Sequence, residues 1–254
     1  MGHNHMGAPM GLNLGAQSPT WWTAIAGIAR RSAAQLRLLK SSLPLALGVT
    51  VLAWVLLRYY QELTGNPVDL SQVQSVLEKY LVLGVVPASL ALWSDLDGKR
   101  PGLFLTLPVS RLEMVVVRTL IPTLLWALLA TLTLAYVDGF VLELGQDQAL
   151  PMLGRSWPVA VFLLSLTSFL STMARSPVAG AGGVLLYWLL HHLLGPSKIG
   201  ARFYLFQGSL TMQSAGRPGQ ELATNREVLI AASIIMALAS WLLLRSTQRF
   251  LGKN

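Results

Sequence analysis

The chain contains no cysteine among its 254 residues. Disulfides, thiolate nucleophiles and Cys-ligated zinc or iron–sulfur sites are therefore excluded. Charge is scarce as well. Asp, Glu, Lys and Arg make up 12% of the chain, against about 25% in an ordinary soluble domain. So few charges cannot clothe a water-facing surface of normal size. No Gly-x4-Gly-Lys-Ser/Thr sequence occurs, so the chain has no phosphate-cradling P-loop of its own. Ser165 and Ser168, the serines a nucleophile would draw on, lack a Gly-x-Ser-x-Gly turn. Serines that pack between membrane helices are the commoner case. No internal repeat of fixed period is present.

What remains is apolar. Hydrophobic residues make up 53% of the sequence, and mean hydropathy is +0.54. A hydrocarbon core about 30 Å thick needs about 20 apolar residues of helix. Six segments qualify: about Ser42 to Leu57, Val76 to Trp93, Met114 to Val137, Trp157 to Ala174, Val178 to Leu194 and Val228 to Leu244. The second is the weakest, with Glu78 and Lys79 at its edge. Runs such as 124–129 (LLWALL) do not alternate in polarity, so barrel strands are excluded and helices are the spans. The expected fold is all-α: a polytopic membrane protein with six transmembrane helices, occupying 42–254.

The first 20 residues are polar and small and lack a basic region followed by an apolar core, so they read as a disordered leader rather than a signal peptide. The His3-Asn4-His5 run is a weak metal binder at best, and no metal site is expected. Residues 21–41 place Trp22, Ile25, Ile28, Ala33, Leu36 and Leu39 at helical spacing, with Arg30, Arg31, Arg37 and Lys40 toward the other side. This predicts an interfacial amphipathic helix; a straight extension of the first span is the alternative.

Placing the N-terminus inside puts twelve Lys and Arg on the inner side and seven on the outer side. The net charge of +8 is then the ordinary excess of basic residues in cytoplasmic loops, and not a nucleic-acid footprint. Both termini are expected in the cytoplasm. The inner loop is 94–113 and the long outer segment is 195–227, where Ile199 to Leu210 read as a short re-entrant or interfacial helix.

The central portions of the six proposed spans hold no Asp, Glu, Lys or Arg. Buried charges usually mark ion or proton paths, so an ion-coupled carrier is disfavoured. Arg118 lies near the inner end of the third span and can snorkel to the interface. His191 and His192 are adjacent, so on a helix they point apart and do not chelate one metal. With Tyr187 they are the one candidate cluster for an intramembrane enzyme.

The 94–113 loop is short, charged and punctuated. Pro108 ends whatever helix precedes it, and Pro101 and Gly102 mark a turn. Between them Leu103, Phe104 and Leu107 form an amphipathic segment. A short helix tipped by charge suits docking into a groove of another protein; an ordinary surface loop is the alternative. The run from Trp93 through Asp95, Asp97, Lys99 and Arg100 to Leu107-Pro108-Val109-Ser110-Arg111, followed by Glu113 and Arg118, resembles the permease subunits of type-2 ATP-binding-cassette exporters. Such proteins carry a charged cluster, a glycine and a Leu-Pro-x-Ser-Arg segment between spans two and three. Here Asp95 and Asp97 stand where Glu is more usual.

The resemblance implies a permease without an ATPase site, paired with a second permease and with a separate ATPase that holds ATP and Mg. Asp95, Asp97, Lys99, Arg100, Leu103, Phe104, Leu107, Pro108, Arg111 and Glu113 would face that ATPase. Pro87, Gly180 and Gly183 would face the second permease. The implied location is the bacterial cytoplasmic membrane. A channel or carrier working without ATP is the alternative function.

Overall fold

A computed structural model of the chain describes residues 39–96, 110–142, 144, 146–200, 202–213 and 219–245. The described residues are 89% helical and contain no strand. Helix α1 is Leu43–Thr64, preceded by a 3₁₀ turn at Leu39–Ser41; α2 is Leu70–Leu92; α3 is Arg111–Phe140. Helix α4 is Gln146–Ala174, α5 is Pro177–Ile199, α6 is the short Gln207–Gln213 and α7 is Gly219–Arg245. All but α6 are long and apolar enough to cross a membrane, the pattern of a multi-pass membrane protein. The expected disordered leader (1–20) and the interfacial helix up to residue 38 lie outside the described residues.

Several helices start or stop where the sequence offers a cap. Asp69 and Gln72 form a capping box at the head of α2: Gln72 N–H donates to Asp69 Oδ1 at 2.8 Å, and Asp69 N–H donates to Gln72 Oε1 at 3.1 Å. Ser110 caps α3 by accepting from the Glu113 N–H at 3.0 Å. Gly65 closes α1 with φ of 63°, and its N–H reaches Gln61 O at 3.2 Å. Only glycine adopts that conformation cheaply.

The bundle is built around α2 and α4. The most apolar stretches of these two are 61% and 67% buried, against 28%, 17% and 22% for α1, α5 and α7. Helix α4 packs on α2, α3, α5 and α7, and α2 is covered on another side by α1. The outer faces of α1, α5 and α7 display Leu, Val and Ile side chains about half exposed, such as Leu52, Leu186 and Ile235. This is what lipid-facing helices require, since lipid tails are as apolar as leucine.

Small residues set the close approaches. A Cβ on Gly84 would stand 3.0 Å from Val49 Cβ, so α1 and α2 touch at that glycine. A Cβ on Gly180 would meet Ser171 Oγ and, at 2.9 Å, the Thr167 carbonyl oxygen. One on Gly183 would stand 2.5 Å from Leu170 Cδ1. The two glycines therefore seat α5 against α4 of the same chain.

The observed helices outrun the apolar runs at one end of the bundle, where 64–70, 140–146 and 199–219 connect them. Helix α2 begins at Leu70 rather than Val76, and α7 at Gly219 rather than Val228. Residues 219–227, expected in the outer segment, are helical. Of Ile199 to Leu210, read as a short re-entrant or interfacial helix, Ile199 ends α5, 202–206 are irregular and 207–210 open α6.

Candidate functional site

The extra length carries charge into the bundle. Glu78 is the ninth residue of α2, about 12 Å from its start at 1.5 Å per residue. Arg226 lies about 10 Å inside α7 by the same measure. Glu78 is fully buried and Arg226 is 8% exposed, and the Arg226 guanidinium donates to the Glu78 carboxylate through Nη2 and Oε1. The central portions of the six proposed spans hold no charge, but α2 and α7 are longer than those spans, and the added length buries Glu78 and Arg226. The absence of buried charge no longer weighs against a carrier.

A π-turn puts Glu78 where it is. Residues Val76–Tyr80 wind with i to i+5 bonds inside an otherwise α-helical α2, a rare geometry that recurs at functional sites. Indole N–H groups meet two carbonyls of this turn. Trp126 Nε1 on α3 donates to Leu77 O at 3.4 Å, and Trp188 Nε1 on α5 donates to Lys79 O at 3.2 Å.

Polar groups from α2, α4, α6 and α7 close around the carboxylate. Gln74 Nε2 donates to Glu78 Oε1 at 3.0 Å and to Ser156 Oγ of α4 at 2.7 Å. The Ser209 N–H of α6 donates to Glu78 Oε2 at 3.3 Å. Arg226 Nη1 donates to Asn225 Oδ1 at 3.1 Å and to Leu205 O at 3.2 Å. Asn225 Nδ2 donates to the carbonyls of Arg202 and Tyr204, both at 2.9 Å. His191 Nδ1 accepts the Leu205 N–H at 3.1 Å. Irregular backbone needs partners that a helix would supply internally, and here side chains meet the carbonyls of Arg202, Tyr204 and Leu205 and the Leu205 N–H. Tyr204 lies in the same cluster. Burial, and secondarily the Glu78 charge, hold its phenol above the ordinary range.

His191 is thus engaged with the backbone and leans on the Tyr187 ring at 4.3 Å, while His192 stacks on Trp188 at 5.2 Å. The two histidines point to different partners, as adjacent helical positions require.

A second polar cluster sits at the opposite end, at the root of the 94–113 loop. Arg118 donates to Asp95 through two parallel bonds, Nη1 to Oδ1 at 2.8 Å and Nη2 to Oδ2 at 2.5 Å. Its guanidinium also lies over the Trp93 ring, 4.7 Å from the centroid. Trp93 Nε1 in turn donates to Ser168 Oγ of α4 at 3.1 Å. Arg118 is 3% exposed, covered by protein and held by a carboxylate one helix away. This fork-to-fork pairing fixes direction as well as distance. The departing end of α2 and the first turns of α3 are thereby tied to each other and to α4.

Of the residues expected at an ATPase-facing surface, Asp95 belongs to this tie. Arg111 opens α3, and Glu113 lies in its first turn. Asp97, Lys99, Arg100, Leu103, Phe104, Leu107 and Pro108 lie outside the described residues. Of those expected at a permease interface, Gly180 and Gly183 face α4, as above. Pro87 lines a groove of about 340 Å³ with Ser41, Ser42, Leu45, Leu90, Ala91, Pro177 and Val178, between α1 and α5 over α2.

Sequence reasoning missed Glu78, Arg226, Gln74, Ser156, Asn225 and Gly208 as a group. One local signal was available: Asp69-x-x-Gln72 is a capping box, and it moves the start of α2 ahead of Glu78.

Compared with known proteins, the chain matches no family model, no curated protein and no solved structure.

Proposed function

We propose that this chain is the membrane permease subunit of an ATP-driven exporter of the type-2 ATP-binding-cassette kind. It forms a substrate path with a second permease and docks a separate ATPase through the 94–113 loop. Both termini lie in the cytoplasm, and the membrane is the bacterial inner one. The chain itself hydrolyses nothing; ATP and Mg belong to the partner.

The observation that carries this reading is the mount beneath the loop. A docking loop transmits force only if its two ends are anchored to the helices that must move. Asp95 at one end and Arg118, two turns into α3, are locked in a bidentate pair stacked on Trp93. Trp93 is joined to α4. Displacement of the loop is thus passed to three helices together, two of them the interior pair. The Leu107-Pro108-Val109-Ser110-Arg111 motif between these anchors supports the same assignment.

The test is co-purification. The chain is isolated from its native membrane in mild detergent, with and without Lys99→Glu and Arg100→Glu together. The native chain is expected to retain a P-loop ATPase that the double variant loses, with insertion unchanged. Equal recovery of the ATPase by both proteins, or recovery by neither, counts against the docking role.

A second reading, a carrier working without ATP, is favoured by the buried Glu78–Arg226 pair. Ionisable groups inside membrane helices commonly serve transport. Substrate flux through the purified chain alone in liposomes would establish it and displace the first reading.

A further inference from the structure

The stretch from Arg202 to Gln213 belongs to no span. It dips between the ends of α2, α5 and α7 and buries Leu205 and Phe206 completely. Its first half has no regular structure, and α6 packs on the first turns of α2. The bonds that hold it are polar. Glu78, His191, Asn225 and Arg226 grip its backbone at Ser209, Leu205, Tyr204 and Arg202. Of these five bonds, all but the His191 one come from the Glu78–Arg226 pair itself or from Asn225, which Arg226 touches.

Gly208 marks how tightly segment and pair are fitted. A Cβ there would run into Glu78 Oε1 and would stand 2.7 Å from Arg226 Nη2. Only a glycine lets the backbone of the segment lie against both charges. The chain reaches the segment through two glycines with positive φ, Gly195 at 67° and Gly200 at 88°, and a Cβ at either would meet open space. Such positions are free to change their backbone angles.

The closed arrangement also leaves hydrogen-bonding capacity unused. Gln74 Oε1, Gln207 Oε1 and Arg226 Nε are buried with no partner among the described residues. Buried polar atoms without partners are costly, and hydration relieves that cost. Departure of the segment would wet all three. It would uncover a polar recess lined by Glu78, Gln74, Ser156 and Asn225 between α2, α4 and α7.

We propose that residues 202–213 form a plug that leaves the bundle as a unit by turning about Gly195 and Gly200, and that the Glu78–Arg226 pair is its latch. The proposal does not depend on whether ATP drives transport, because the latch lies at the end of the bundle remote from the 94–113 loop.

The absence of cysteine provides a clean assay. Ser209→Cys places a single thiol at a site 2% exposed, and Ala160→Cys places one at a fully buried site in the centre of α4. The full chain is purified in detergent micelles, where both ends are wet, and its reaction with a charged maleimide is timed. Glu78→Gln unlatches from α2. Gly208→Ala unlatches from the segment and leaves both charges in place. Each is expected to raise the Ser209→Cys labelling rate by about tenfold or more, the change a loss of one strong contact produces, while Ala160→Cys stays protected. If Glu78→Gln does not accumulate, Gly208→Ala decides alone. Labelling at Ser209→Cys that neither variant accelerates would overturn the latch. So would equal acceleration at Ala160→Cys, which would make the pair a support of the whole fold.

Discussion

Replacing Asp95 by Asn tests the loop mount directly. Arg118 is 3% exposed and Asp95 is 20% exposed, and two bonds of 2.8 and 2.5 Å join them. Asp95→Asn keeps the size and one acceptor but takes the carboxylate charge away from a buried guanidinium. Breaking a buried pair from one side costs about 3–5 kcal/mol; the partial exposure of Asp95 points to about 3 kcal/mol, the low end of that range. Arg118→Met leaves behind a carboxylate that can reach water, so its cost is smaller, about 2 kcal/mol. The double variant has no orphaned charge and should lose no more than the worse single one. A coupling energy of about 2 kcal/mol follows, well above the few tenths seen for independent sites. Unfolding by SDS titration from mild-detergent micelles gives all three free energies. Strict additivity of the two substitutions would refute the pairing as the anchor. So would an Asp95→Asn variant within about 0.5 kcal/mol of the native chain, the range of ordinary surface substitutions.

Gly180→Ala should cost about 1–3 kcal/mol in the same titration, since the added carbon meets backbone at Thr167 and the helices cannot both keep their places. Gly182→Ala, two residues along and pointing elsewhere, with nothing within 4 Å of its Cβ site, should be neutral or slightly stabilising, and equal effects at the two glycines would count against the α4–α5 packing. Trp188→Phe removes the indole bond to Lys79 O in the π-turn and should cost about 1 kcal/mol, read as a shift in the unfolding midpoint; no shift would mean the bond does not support the turn.

Six helices were legible because a membrane span announces itself by length and apolarity alone. The helix ends were not, and the reason is specific. Glu78 and Arg226 each look like loop residues when read singly, because an unpaired charge is expensive in lipid. They are 148 residues apart in sequence, and nothing local says that they meet. Arg118 and Asp95 posed the same problem at shorter range. Each is visible in the sequence as a charge near the 94–113 loop, but nothing local says that the two pair. The glycines of α5 were legible as sites of close approach, whereas their partner, α4 of the same chain, was not. By contrast Asp69 and Gln72 carried a local signal, three residues apart, that fixes the start of α2.

The two polar clusters divide the labour of a single helix. Helix α2 ends in Trp93 and Asp95 at one end and carries Glu78 in its π-turn toward the other, about 22 Å away at 1.5 Å per residue. Helix α4 runs beside it and contributes Ser168 to the first cluster and Ser156 to the second. Both are interior helices, close-packed along their length, so neither cluster can shift without moving side chains against the same pair of rods. The π-turn is the one place where α2 departs from α-helical winding, and it lies at the latch rather than at the mount. A helix displaced from its loop end would meet its softest point at the latch, where the carboxylate is held. That placement gives a physical reason for a costly buried charge pair in lipid: it sits where movement of α2 is converted into release or retention of the 202–213 segment.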